Sequence, residues 1–163
     1  MISTKMIKKV KEFYEVFKQE DFLEEYGITP DRMRTRTKLW DEELDELIEA
    51  KSKKDKVQIL DAIVDMLYIR IGTLLEHHKG DVAIVLFKVE IDIEIKNCKE
   101  YFTEYFGDNF ALLEDAFDEV HMSNMSKLDE NGNPIFREDG KVMKSHLFIE
   151  PDLTGVLLQY DEL

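Results

Sequence analysis

The chain has 163 residues, 44% of them hydrophobic, enough for one folded domain with its own core rather than a disordered segment. Its formal net charge is -14 and its pI lies near 4.7, which argues against duplex nucleic acid or an anionic membrane as partner, since both call for a basic surface. The single cysteine, Cys98, allows no internal disulfide, the N-terminus has no apolar signal core, and no stretch is apolar enough to span a bilayer; these features predict a cytoplasmic protein.

Taken in order, the pattern predicts an all-α fold. Ser3 or Thr4 caps a first helix running to about Asp21, with Met6, Val10, Phe13, Tyr14 and Phe17 as its apolar stripe. Gly27 to Asp31 forms a break around Pro30. A second helix runs from about Asp31 to Lys51, followed by a short polar turn that favours an antiparallel neighbour. The third, from about Asp55 to His78, has no polar half and reads as buried. One short chain can hardly cover such a helix, which predicts that subunits pack together. A fourth helix is expected from Asp81 to Tyr105, although Val89 to Ile95 alternates with the period of a strand. A fifth covers Phe110 to about Met122. Beyond Lys127, turn signals at Asn131–Pro134 and Glu138–Lys141 predict a hairpin or ordered loop, and Pro151 and Asp152 open a last short helix from Leu153 to about Tyr160. We expect one domain over 1–163, with a helical bundle through 127 and the hairpin and short helix over 128–163.

The chemistry concentrates on the second and third helices. Glu43 and Glu46 are three residues apart, and Glu42 and Glu46 four, so each pair shares a helix face. Asp61 and Asp65 do the same inside the buried helix. Bare carboxylates there are costly unless something compensates them. Set opposite one another on antiparallel helices, they suit one or two hard divalent cations: magnesium, with manganese fitting the same oxygen ligands. No Cys/His set is spaced for zinc. A di-iron bundle needs two Glu-x-x-His motifs, and the chain offers only Asp118-Glu119-Val120-His121.

The run Arg36-Thr37-Lys38-Leu39-Trp40-Asp41-Glu42-Glu43-Leu44-Asp45-Glu46-Leu47, followed by Asp61-Ala62-Ile63-Val64-Asp65-Met66-Leu67-Tyr68, resembles the all-α nucleoside triphosphate pyrophosphatases. That superfamily includes MazG, the dimeric dUTPases and the phosphoribosyl-ATP pyrophosphohydrolases. Glu119 to Lys127, Asp139 to Lys144 and Pro151 to Leu153 are similar to the last of these branches. The resemblance implies a MazG-like bundle, dimeric or tetrameric, that cleaves a nucleotide between its α and β phosphates. The family's Glu-x-x-Glu falls on Glu43 and Glu46. Its usual Glu-x-x-Asp meets Ala62 in the first place and Asp65 in the last, with Asp61 offset by about 100° around the helix.

On this reading Glu43, Glu46, Asp61 and Asp65 hold metal, and one of Glu42, Glu43 or Glu46 orients the attacking water. Lys127, Lys141 and Lys144 are candidates for phosphate contacts, and Asn124 for sugar or base. The expected role is nucleotide-pool cleaning by a homodimer or homotetramer. A non-catalytic nucleotide- or metal-binding helical oligomer is the competing expectation.

Overall fold

A computed structural model of the chain describes residues 2–24 and 27–163. The described residues form eight α-helices and no strand: α1 (Thr4–Val16), α2 (Asp21–Glu24), α3 (Pro30–Lys53), α4 (Lys56–His77), α5 (Val82–Val89), α6 (Ile93–Phe106), α7 (Phe110–Met125) and α8 (Leu153–Gln159). Local chemistry sets where most of them begin. Ser3, Thr29, Asp55, Asp81, Asp92, Asn109 and Asp152 each accept a hydrogen bond from a backbone N–H of the helix they precede. Pro30 follows its cap directly, where its missing N–H costs nothing, so it opens α3.

Helix α4 is the hub. Ala62 and Val64 are as buried as Leu60, Ile63 and Leu67, and all seven other helices pack on it, α3 most extensively. Removing each large apolar side chain from water is worth about 1.5–3 kcal/mol, so this hub dominates the core. One chain therefore covers the helix expected to need a second subunit, and its all-round apolarity carries no argument for oligomerisation.

Two helix boundaries differ from the sequence reading. The first helix ends at Val16, and the chain turns through Lys18 (φ 55°) before α2. The expected long fourth helix is two, α5 and α6, divided at Glu90–Asp92. Asp92 caps α6 through Ile95 N–H and forms a bidentate pair with Arg70 of α4, so a tertiary ion pair fixes the break. The period-two stretch marks that junction.

The segment after α7 folds back over α3. Phe136 and Val142 form an antiparallel bridge, Met143 N–H donates to the Ile135 carbonyl at 2.8 Å, and Gly140 takes the turn at φ +85°. This hairpin is tied along one face of α3. Thr35 Oγ1 donates to the Asp139 carbonyl at 3.0 Å, Lys38 pairs with Asp139 at 2.7 Å, and Glu42 receives Arg137 at 3.0 Å and Lys141. The following loop is held by α7: Ser123 Oγ donates to the Ile149 carbonyl at 2.7 Å, and Ile149 N–H donates to Ser126 Oγ at 2.8 Å.

Candidate active site

Helices α3 and α4 run antiparallel across a tight link, with Lys54 in the left-handed region (φ 56°) and Asp55 capping α4. One register brings Arg32 to Glu76, Arg36 to Thr73 and, nearer the link, Glu43 to Asp65. Between these helices, α1, α7 and the hairpin lies a cleft of about 110 Å³. Arg32 and Glu43 both line it, and the α-helical rise separates them by about 16 Å along α3.

At the acidic end, Glu43 is 9% exposed, Asp61 and Asp65 are half-buried, and Glu46 is exposed beside them. None of these four accepts a hydrogen bond or forms an ion pair among the described residues. Burial, with repulsion from Asp65 and Glu46, pushes the Glu43 carboxyl up to about 8. Burial, with repulsion from the same two groups, pushes Asp61 up to about 7. Asp65 is also raised by burial, against the pull of Lys127 and with Glu46 adding. The four carboxylates thus form one mutually repelling set. Among the described residues no three His, Cys, Asp or Glu side chains stand arranged to hold a metal ion. The donor chemistry itself, anionic oxygens only, partly desolvated and without partners, is that of a hard-cation site.

Three lysines face this set. Lys127 is half-buried and donates to Asn124 Oδ1 at 2.5 Å; burial lowers its pKa, against the pull of Asp65 and with Lys144 and Lys141 adding. Lys141 lines the cleft and is bound to Glu42. Lys144 pairs with Glu150 at 3.0 Å and lies over the Phe148 ring. Glu42, by contrast, is engaged. Burial works against its ionisation, but hydrogen bonds from Lys141 and Arg137 outweigh that and hold it below the usual carboxylate range. Of the nine residues singled out from the sequence, Glu43, Asp65, Asn124, Lys127 and Lys141 line one end of the cleft and Glu46, Asp61 and Lys144 interact with that group, while Glu42 serves the hairpin.

The other end was not anticipated. Glu76, 1% exposed, accepts from Arg32 Nε at 3.0 Å, from Arg32 Nη2 at 2.9 Å and from the Tyr14 hydroxyl. Arg36 donates from Nε to Thr73 Oγ1 at 3.0 Å and from Nη2 to the Ile69 carbonyl. Gly72 makes room for this network: a Cβ there would lie 2.7 Å from Arg36 Nη2 and 2.8 Å from the Tyr14 hydroxyl. The α3–α4 register, once anchored on Glu43 and Asp65, is the signal that would have paired Arg32 with Glu76.

Asp118 and His121 belong elsewhere. Asp118 pairs with Lys5 and Lys9 of α1, and His121 sits 2.9 Å from the Tyr68 hydroxyl and 3.4 Å from Glu12. The di-iron alternative loses both of its ligands to these contacts.

Residues 10–78 match the family model for phosphoribosyl-ATP pyrophosphohydrolase, within the MazG-like all-α nucleotide pyrophosphohydrolases. No curated protein and no solved structure matches the chain. The matched segment contains all of α3 and α4, and with them Glu43, Glu46, Asp61 and Asp65. The hairpin and α5 to α8 lie outside it. The match points to pyrophosphate-bond hydrolysis on a nucleotide-like substrate.

Proposed function

We propose, with residues 10–78 as a phosphoribosyl-ATP pyrophosphohydrolase-like core, that this chain is a magnesium-dependent nucleotide pyrophosphohydrolase. It would cleave (d)NTPs or related nucleotides between the α and β phosphates to a monophosphate and pyrophosphate. One observation carries the reading: a partner-free carboxylate face on α3 and α4, with three lysines across from it, closes one end of a cleft whose other end is aromatic.

Glu43, Glu46, Asp61 and Asp65 would hold Mg²⁺, and Mn²⁺ fits the same oxygens. No thiolate or imidazole joins them among the described residues, which disfavours zinc. When bound, the ion screens phosphate charge and makes a water more acidic. The chain's own groups do the rest. Lys127, Lys141 and Lys144 meet phosphate oxygens as mobile point charges, the latter two by leaving Glu42 and Glu150. Glu43 or Glu46 orients the attacking water and accepts its proton. The water oxygen bonds to the α-phosphorus in line as the bond from the α-phosphorus to the bridging oxygen breaks, and that oxygen leaves with the electron pair as part of pyrophosphate. Glu42 keeps the hairpin lysine within reach. Asn124, buried and bonded to Lys127, lies where sugar would pass.

The acting form is proposed to be a homodimer or homotetramer, supported by exposed apolar side chains on and beside α5 and α6: Phe87 (70%), Ile91 (59%) and Ile93 (73%). Such an enzyme suits the removal of unwanted nucleotides from the cellular pool.

The test is pyrophosphate release from a panel of NTPs and dNTPs with magnesium or with chelator. Magnesium-dependent release that is lost in Glu46→Gln and Asp65→Asn supports the enzyme. Nucleotide binding without turnover refutes it in favour of a sensor, and binding of neither metal nor nucleotide refutes both.

A further inference from the structure

Away from the carboxylates, the cleft ends among Phe13, Tyr14, Gln19, Arg32, Arg36 and Tyr68. Three of these polar side chains are more than nine-tenths buried: Gln19 at 6% exposure, Arg32 at 8% and Arg36 at 8%. The Gln19 backbone is fully used, its N–H donating to the Tyr14 carbonyl at 2.8 Å and its C=O accepting from Phe22 N–H at 3.1 Å. Its side-chain carboxamide has no hydrogen-bond partner among the described residues. The residue is mostly buried but its carboxamide is not sealed off from the cleft that it lines, so both of its polar atoms are open to what the cleft receives.

The arginines add to the imbalance. Arg32 commits Nε and Nη2 to Glu76, and Arg36 commits Nε to Thr73 and Nη2 to Ile69. The Nη1 group of each has no acceptor among the described residues. That of Arg32 faces Gly140, another wall of the cleft, 3.8 Å from where a Cβ would stand. Glu76, the one acid here, is already saturated. Donors therefore outnumber acceptors, next to the rings of Phe13 and Tyr68, which stand edge to face with centroids 5.7 Å apart. A group that satisfies this end must be flat, with apolar faces and an acceptor-rich edge. A phosphate would meet the donors but waste the aromatic wall.

We infer that this end of the cleft takes the nucleotide's base and selects keto bases, the uracil, thymine, guanine and hypoxanthine class, over the amino-edged adenine and cytosine. The inference rests on the nucleotide reading above and adds the base class to it. The Gln19 carboxamide donates to a ring carbonyl and accepts from the neighbouring ring N–H, the lactam edge that all keto bases share. An amino-edged base also fits a flipped carboxamide, but it turns an N–H donor toward guanidinium donors. The arginines break the tie.

The experiment is calorimetric titration of the full chain, with magnesium, using α,β-imido analogues of dUTP, dGTP, dATP and dCTP. The keto pair is expected to bind about tenfold or more tighter than the amino pair. Gln19→Leu, checked for an unchanged melting profile, is expected to weaken binding of the keto pair about tenfold by removing both carboxamide hydrogen bonds. Equal affinities, an amino preference, or wild-type affinity for the keto pair in folded Gln19→Leu would overturn the inference. Should the variant not fold, the wild-type ratio alone decides. Keto-selective binding without pyrophosphate release from the natural nucleotides would sink the hydrolase reading and keep the base assignment. Unselective hydrolysis would do the reverse.

Discussion

Replacing Glu43 with glutamine should stabilise the metal-free protein at neutral pH. In the unfolded chain this carboxyl titrates at its ordinary 4.5; in the fold, burial and repulsion from Asp65 and Glu46 carry it to about 8. A carboxyl raised on folding favours the native state below its unfolded value and loses that advantage as pH climbs to the folded one. The window is thus roughly pH 4.5 to 8. At pH 7 about 2.5 of those units have been crossed, which at 1.36 kcal/mol each is about 3 kcal/mol lost. An uncharged amide removes the repulsion but still pays for burying a polar group, leaving a gain of about 1–2 kcal/mol. For a chain of this size each kcal/mol moves Tm by about 2–4 °C. Calorimetry in chelator should therefore find Glu43→Gln several degrees above wild type at pH 7.5, with the gap nearly closed at pH 5. Magnesium should then raise the wild-type Tm, because an ion held only by the native state stabilises it, and should raise the variant's less. A variant less stable than wild type in chelator, or shifted equally at both pH values, would refute the carboxylate-repulsion argument.

Glu42→Gln should loosen the hairpin and leave the core intact: amides over 136–143 exchange faster with solvent, while the Tm falls by under about 1 kcal/mol equivalent, since both of its ion pairs are about one-third exposed. Unchanged exchange there would show that the hairpin does not depend on this carboxylate. Gly72→Ala should cost about 1–3 kcal/mol in urea unfolding by driving a methyl into Arg36 and Tyr14; a neutral result would mean that the network yields without penalty. Phe87→Glu should turn an oligomer into monomers in sedimentation velocity with the melting profile retained, and an unaltered sedimentation coefficient would remove α5 from the interface.

What local pattern could reveal, the sequence revealed. The α3–α4 pair announced itself through Pro30, the polar link and the apolar run of α4, and the three- and four-residue spacings put Glu43 with Glu46 and Asp61 with Asp65. Features that depend on distant partners stayed hidden. The break at Glu90–Asp92 contains neither glycine nor proline; it exists because Arg70, on another helix, captures Asp92. Gln19 follows a left-handed lysine in a turn, and nothing near it in the chain signals that it faces a cleft. Glu42 read as a candidate for orienting the attacking water, and nothing local signalled that Arg137 and Lys141 would reach it from the hairpin. Coverage of α4 by its own chain could not be read either, because α8 comes back to it from the far end of the sequence.

The hairpin and the α3–α4 pair are fastened by different means. Asp61 and Asp65 ride on the most deeply packed helix, whose neighbours on all sides resist any shift of its axis. The hairpin is clipped to α3 by Thr35, Lys38 and Glu42, contacts that can be rewritten without touching the interior. One hairpin can therefore be exchanged for another, altering what the cleft accepts, while the carboxylates underneath keep their places.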